Sequence, residues 1–310
     1  MSEISVIVVS YNTRDHLERC LEAVVAGEHE VIVVDSGSTD GSRELVRDRF
    51  PGVRLVEAAE NRGYGAAANE GMRVASGRWF LVMNADARPA AGDSIRGLAA
   101  FGDRHPEIGV AGPRLLNPDG SLQRSVRGFP TVWRLATEYF FLRKLAPGTT
   151  ALNAFYAANF DHQTVRKAEF LMGAVLLLRR EAIAKVGGFD ERFFMFSEET
   201  DLCYRMRKAG WTVEFYPEAE FVHIGGASTE PEWGRMYREQ LRGHLLFLAK
   251  HRSLYRAEQA RKWLLRALRL RALLFRGKRA RTYREAADWL ASGRARSLLA
   301  EAGIDVSVKR

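Results

Sequence analysis

A chain of 310 residues with 46% hydrophobic residues has enough apolar material for one large α/β domain with an appendage, or for two domains. Two cysteines, Cys20 and Cys203, exclude a disulfide framework and a thiolate metal cluster and fit a reducing cytoplasm. The net charge of +9 is uneven: residues 1–234 carry 27 Lys and Arg against 32 Asp and Glu, whereas residues 235–310 carry 20 against 6. The surplus belongs to the tail, which is suited to polyanions such as nucleic acid or an anionic membrane surface. No window approaches 18 uncharged apolar residues, so neither a spanning helix nor a signal peptide is expected.

Taken in order, Ile4-Ser-Val-Ile-Val-Val-Ser10 reads as an apolar strand that ends in Tyr11-Asn12-Thr13. Thr13 is placed to cap a helix with Leu17, Leu21, Val24 and Val25 on one face. Glu30 to Asp35 is a second strand, with Asp35 at its end before a Ser/Gly-rich loop, followed by a helix to about Phe50 and a strand at 53–57. Strands alternating with helices at this spacing predict a mainly parallel, doubly wound α/β sheet. The stretch Asn61-Arg-Gly-Tyr-Gly-Ala-Ala-Ala-Asn69 lets backbone approach a phosphate or sugar through its glycines, or simply lets a helix pack closely through its small residues. It has neither the GxGxxG spacing nor a P-loop.

Trp79 to Met83 form a short buried strand that a polar cluster ends abruptly. Asn84 and Asp86, two apart, sit where such a strand delivers them to the carboxyl edge of the sheet, the usual location of ligands. A carboxylate with a neighbouring oxygen ligand suits a hard divalent cation that keeps waters and also holds a diphosphate. The plain alternative is a strand ending in a polar turn.

A helix near 93–101 and a strand near 108–112 lead into a Pro/Gly-punctuated loop and hairpin over 113–130, carrying Arg114, Arg124 and Arg127. Residues 131–168 combine a helical piece with a Gly/Asn/Thr-rich stretch expected to border the active site. Glu169 to Leu178 is another buried strand, interrupted at Gly173-Ala174, where a ligand can approach the backbone. Ser197 with Glu198, Glu199 and Asp201 looks like a helix start, where acidic side chains are favoured by the macrodipole; that reading alone expects exposed carboxylates with no role. Trp211 to Tyr216 is a strand, and beyond Pro217 comes Glu220-Phe-Val-His-Ile-Gly-Gly226, whose His223 is a structural residue or a ligand. From Trp233 the pattern is helical, and residues 255–276 place Leu264, Leu268, Ala272 and Phe275 on one face with Lys262, Arg266, Arg269 and Arg276 mostly opposite.

Together these stretches resemble a family 2 glycosyltransferase of the GT-A fold, and more narrowly its rhamnosyltransferase-like branch. The resemblance rests on six ordered motifs between Ser5 and Ser228: Ser5 to Asn12, Val34 to Ser42, Asn61 to Gly65, Asn84 to Asp86, Gly187 to Glu191 with Glu198 to Leu202, and His223 to Ser228. It implies a glycosyltransferase domain over 1–232 and a basic amphipathic helical region over 233–310. Ser10, Tyr11 and Asn12 would line the nucleoside, Asp35 would accept the N3–H of a uracil or thymine, and Arg62, Gly63, Gly65, Asn84 and Gly173 would border the rest of the nucleotide-sugar. Asp86 would bind Mg2+ or Mn2+, with His223 completing the metal or phosphate site.

An inverting transfer needs a carboxylate to take the proton of the attacking hydroxyl, and the matching position is Glu199, with Glu198 beside it as the other candidate. The chain departs from the family pattern in two places: Asn-Ala-Asp replaces Asp-x-Asp, and Glu stands where Asp is usual at the base.

The implied reaction moves L-rhamnose or a related hexose from a dTDP- or UDP-sugar to a glycan or polyprenyl-linked acceptor, in the cytoplasm or peripherally on the inner face of the cell membrane. A sugar nucleotidyltransferase would share the fold but carries a basic, Gly-rich loop after the first strand, unlike Ser10-Tyr-Asn-Thr13. Nucleic acid is not expected as a partner, because the basic residues accompany leucines in amphipathic helices and no nucleic-acid module is present.

Overall fold

The computed structural model describes residues 3–146, 149–157, 160–226 and 232–293, together with 295 and 297. Ala227 and Ser228 of the last motif, and the end of the basic tail, lie outside the described residues. Where β-branched residues run on, strands form, and where small and polar residues intervene, helices cross over. The first part of the chain alternates β1 (Ile4–Ser10), α1 (Arg14–Val24), β2 (Glu30–Asp35), α2 (Ser42–Arg49), β3 (Arg54–Glu57), α3 (Tyr64–Val74) and β4 (Trp79–Asn84). There follow β5 (Ala87–Pro89), α4 (Ser94–Arg104), β6 (Ile108–Leu116), β7 (Leu122–Gln123), β8 (Val126–Arg127), α5 (Val132–Tyr139), a 3-10 turn at Leu142–Lys144 and α6 (Thr150–Asn153). The chain continues with β9 (Arg166–Lys167), β10 (Phe170–Leu171), β11 (Val175–Arg179), α7 (Arg180–Val186), α8 (Glu198–Lys208), β12 (Thr212–His223), α9 (Trp233–His251), α10 (Leu254–Leu274) and α11 (Gly277–Ala291).

These elements form two compact units. The first comprises Met1–Arg127, Asp161–Phe194 and Glu198–Pro231; the second comprises Gly128–Phe160, Met195–Ser197 and Glu232–Arg310. Residues 233–310 thus share a unit with 128–160 and 195–197.

In the first unit a 10-stranded sheet has the order β3-β2-β1-β4-β11-β6-β12-β5, with β7 on β6 and β9 on β12. Strands β3, β2, β1 and β4 are parallel neighbours, which is the doubly wound half expected from the alternation. The pairing of β1 aligns Ser10 with Asp35 on one side and Val9 with Asn84 on the other, so three strands end together. Strand β11 runs antiparallel to β4, setting Val175 opposite Met83 and the Gly173-Ala174 interruption beside the end of β4. Helix α3 sits directly on this sheet: a Cβ at Gly71 would lie 2.4 Å from Ile7 Cγ2 and 3.1 Å from Val34 Cγ2, so only glycine allows the approach.

Two local expectations change. The stretches either side of Pro217 are one strand, β12, whose register on β6 shifts between Tyr216 and Glu220, where proline offers no ladder N–H. Val25 is exposed rather than on the buried face of α1, because the helix ends at Val24 and Val25 turns away as its C-cap.

The second unit packs α5, α9, α10 and α11 around Leu135, Leu241, Leu245, Leu264, Leu268 and Leu290. Leu264 and Leu268 are buried, and Lys262, Arg266, Arg269 and Arg276 are exposed, as the helical period requires. Two arginines of α10 are instead buried. Arg271 donates from Nε to the Tyr139 carbonyl at 2.8 Å and from Nη2 to that of Glu138 at 2.9 Å, satisfying the last turn of α5. Arg261 pairs with Glu258 and donates to the Leu290 carbonyl near the end of α11.

Candidate active site

The residues singled out in the sequence gather where the parallel strands of the first unit end. Asp35, 1% exposed, accepts from the Ser38 amide at 2.9 Å and from Arg43 Nε at 2.6 Å, both through Oδ1. Its Oδ2 is buried and has no hydrogen-bond partner. A buried carboxylate oxygen left without a donor costs free energy, and an incoming N–H would repair it. Asn12, in the left-handed region at φ 50, ties this edge together: its amide donates to Ser38 Oγ at 2.9 Å and its side-chain oxygen accepts from the Thr39 amide at 2.8 Å. Ser10 belongs to the same edge, its carbonyl accepting from the Ser36 amide at 2.9 Å.

The Asn61–Gly65 loop leads into α3. Gly63 has φ +98, and a Cβ there would lie 2.1 Å from the Phe194 carbonyl oxygen, which also accepts from the Tyr64 amide at 3.0 Å. A Cβ at Gly65 would lie 2.9 Å from Phe189 Cβ. Contacts within the unit therefore already require both glycines. Arg62 bridges Glu70 at 3.3 Å and Glu191.

At the end of β4, His223 Nε2 lies 3.3 Å from Asp86 Oδ1 and 3.3 Å from Asn84 Nδ2. On the other side of the ring, Nδ1 is 2.6 Å from Gln123 Oε1. An amide oxygen only accepts, so Nδ1 carries a proton, and Nε2 is the ring atom that faces Asn84 Nδ2 and Asp86. Nε2 and the Asp86 carboxylate thus stand together at one corner of the sheet edge. A carboxylate, an imidazole and a neighbouring amide are a donor set that suits Mg2+ or Mn2+. Among the described residues no group of three or more His, Cys, Asp or Glu side chains is placed to hold a metal ion.

Next to this corner stands a carboxylate pair. The Asn84 amide donates to the Ala174 carbonyl at 3.0 Å, and the Tyr64 hydroxyl donates to the Gly173 carbonyl at 2.9 Å. A Cβ on Gly173 would lie 3.5 Å from Glu199 Cβ, so Gly173 abuts that side chain. Glu198 is 4% exposed and its Oε2 is buried without a partner. Burial first, and the charge of Glu199 second, push the Glu198 carboxyl well above the usual range. Burial, with the charges of Glu198, Glu199 and Asp86, likewise raises the Tyr64 phenol, which stands among all three. The exposed carboxylates expected from a bare helix start are not what forms; Asp201 is instead fully buried and paired with Arg205 at 2.7 Å.

Three contributors escaped the sequence reading. Gln123, in a two-residue strand, orients His223 only because β7 pairs with β6. Arg43 follows the Val34–Ser42 motif and Tyr64 lies within the Asn61–Gly65 motif, but neither carried a periodic or compositional signal of its own.

A mostly parallel central sheet flanked by helices, with polar residues collected at the strand ends, is the architecture of GT-A glycosyltransferases. Residues 5–187 match Glycosyl transferase family 2, and the chain belongs to that family. Residues 155–226 also match the N-terminal domain of galactosyltransferase. The chain is 36% identical over 295 residues to the N-acetylglucosaminyl-diphospho-decaprenol L-rhamnosyltransferase of Mycobacterium tuberculosis, across 87% of this chain and 92% of that one. The rhamnosyltransferase-like resemblance therefore holds along almost the whole length. Among solved structures, the mannosyltransferase PcManGT from Pyrobaculum calidifontis, in complex with GDP-Man and Mn2+, superposes with a TM-score of 0.55 at 18% identity, covering 98% of this chain and 86% of that one. The Staphylococcus aureus TarS 1–349 structure does so with a TM-score of 0.54 at 14% identity, covering 97% and 86%. Both likenesses speak to the fold.

Proposed function

We propose that this glycosyltransferase moves L-rhamnose or a related hexose from a dTDP- or UDP-sugar to a polyprenyl-diphosphate-linked glycan, with inversion at the anomeric carbon. The observation that carries the donor half is the one sheet edge that holds both an Asp35 oxygen lacking a donor and the Asp86–His223 corner. The acceptor half rests on the name of the mycobacterial relative. A peripheral place at the cytoplasmic membrane face follows from such an acceptor; among the described residues no helix is long and apolar enough to cross a membrane.

In this reading Asp35 Oδ2 accepts the N3–H of the pyrimidine, while Ser10, Tyr11 and Asn12 border the nucleoside. Arg62 and the backbone at Gly63 and Gly65 lie beside ribose and phosphate, and Gly173 leaves space for the sugar. Asp86 and His223, with Asn84, would hold Mg2+ or Mn2+, whose charge would offset that developing on the departing diphosphate. Glu199 takes the proton from the acceptor hydroxyl as that oxygen attacks. Burial raises the Glu198 carboxyl and so favours its protonated form, which leaves Glu198 the supporting role beside Glu199. Because the hydroxyl attacks opposite the leaving group, no covalent enzyme intermediate forms.

The test is incubation with a panel of dTDP-, UDP- and GDP-hexoses, Mn2+ and a short polyprenyl-diphospho-N-acetylglucosamine, with product mass and anomeric configuration as readouts. Transfer from a dTDP or UDP donor, with inverted configuration, is expected, and Asp35→Asn should weaken donor binding by about tenfold or more. Retained configuration, a GDP-sugar preference, or pyrophosphate release from a nucleoside triphosphate would overturn the reading.

A further inference from the structure

Helix α10 has an exposed strip that folding does not explain. Trp263, Leu270, Leu273 and Leu274 are all exposed, Leu273 at 84% and Leu274 at 63%. On a helical wheel they share one arc with the exposed Lys262, Arg266 and Arg269, opposite the buried Leu264 and Leu268. The guanidinium of Arg266 lies 5.1 Å from the Trp263 ring, so cation and aromatic already form a joint surface. At the C-terminal end of the helix the strip widens. Phe141 packs on Phe275 with ring centroids 6.0 Å apart, and the turn that follows Phe141 carries the exposed Lys144 and a Leu145 that is 79% exposed. Arg276, Lys278 and Arg279, all exposed, close the rim from the start of α11.

The charge around this tip has one sign. Between Glu258 and Glu285 the sequence has 10 Lys and Arg and no Asp or Glu. Only two of the ten, Arg261 and Arg271, are buried to finish other helices, leaving the rest to the surface. A leucine tip with an indole at its side and a ring of cations matches the layered chemistry of an anionic bilayer surface, with acyl chains beneath phosphates. It does not match a second copy of the chain, since a two-fold contact would press one basic rim against the other. It does not match a nucleic acid either, whose phosphates offer nothing to cover Leu273 and Leu274.

We infer that the strip Trp263–Leu274, with Leu145 and the surrounding Lys and Arg, is a docking surface for an anionic phospholipid membrane, the leucines entering the interface and the cations meeting headgroup phosphates. The inference gives a defined surface to the peripheral membrane placement proposed above, and its test contains neither donor nor acceptor, so either can fail alone. The full chain is mixed with vesicles of phosphatidylglycerol and phosphatidylcholine, or of phosphatidylcholine alone, and the bound fraction is read by flotation at low and high salt. Binding to the anionic vesicles only, weakened by salt, is expected. Leu273→Glu with Leu274→Glu, and separately Arg266→Glu with Arg269→Glu, should each lower partitioning by about tenfold or more, with unchanged thermal melting. No vesicle binding, equal binding to neutral vesicles, or variants that bind as the wild type would overturn it. So would preferential binding to duplex DNA, or a dimer that the leucine changes dissolve while vesicles stay unbound.

Discussion

The two units use charge in opposite ways. In the first, Asp35, Asp86 and His223 stand at or just beyond strand ends and Glu198 and Glu199 at the start of α8, few, largely buried and set against named neighbours. In the second, arginine is abundant and does two unlike jobs: Arg261 and Arg271 are buried and complete helix ends, while Arg266 and Arg269 face outward around exposed leucines. A charge at a strand end can therefore be read from sequence as chemistry, whereas a charge in a basic helix has no meaning until its burial is known.

Glu199→Gln gives the sharpest contrast within the first unit. It should lower the transfer rate by about 10²–10⁴-fold, the range of a lost general base, with donor binding little changed. Glu198→Gln should leave most of the rate, because burial favours the protonated carboxyl, which an amide matches in shape. Equal losses in the two variants would break the assignment of roles.

Acid should act on the second unit through His244. Burial pushes His244 down to about 4, and its ring lies edge-on to Tyr139 and Phe155 with Nδ1 unpartnered. The unfolded chain takes up this proton near the ordinary value of 6.5, so stability is full above that value and is lost as pH falls towards about 4. The loss should reach about 3 kcal/mol, and His244→Leu should flatten it in denaturant melts across that window. Arg271→Leu, which strands the Glu138 and Tyr139 carbonyls, should cost about 2 kcal/mol at any pH. The exposed Arg269→Leu should stay within about 0.5 kcal/mol.

How much of this was legible in the sequence follows the same division. Asn84 and Asp86 stood out because a run from Trp79 to Met83 stops abruptly at them, and Asp35 for the same reason after Val34. Gln123 did not, since its place beside His223 depends on the β7–β6 register inside a Pro/Gly-punctuated hairpin. The bland reading of Glu198 as a solvated helix start failed because helix dipole arguments say nothing of what packs on the first turn; here the helix start is covered and the carboxylate is buried. In α10 the period located the buried leucines correctly, but it could not tell that Leu273 and Leu274 fall outside the core, nor that Arg271 falls inside it.

Smaller effects refine the comparison. Gln123→Ala frees the His223 tautomer and should weaken Mn2+ binding by about 10–100-fold while leaving the fold intact. Glu198 supplies the counterpart to His244. Its carboxyl is raised above the ordinary 4.5, so its preference for the protonated state favours folding at low pH and is lost as pH rises through the elevated value. Glu198→Gln should therefore melt increasingly above the wild type as pH rises, and match it in acid.

The most direct test is calorimetric titration of dTDP and UDP into the wild type and Asp86→Asn, each with and without Mn2+. Nucleotide binding that is strengthened by Mn2+ in the wild type, and loses that strengthening in Asp86→Asn, is the predicted result. Binding that ignores Mn2+, or an Mn2+ effect that survives Asp86→Asn, would contradict the assignment of the Asp86–His223 corner as the diphosphate and metal site.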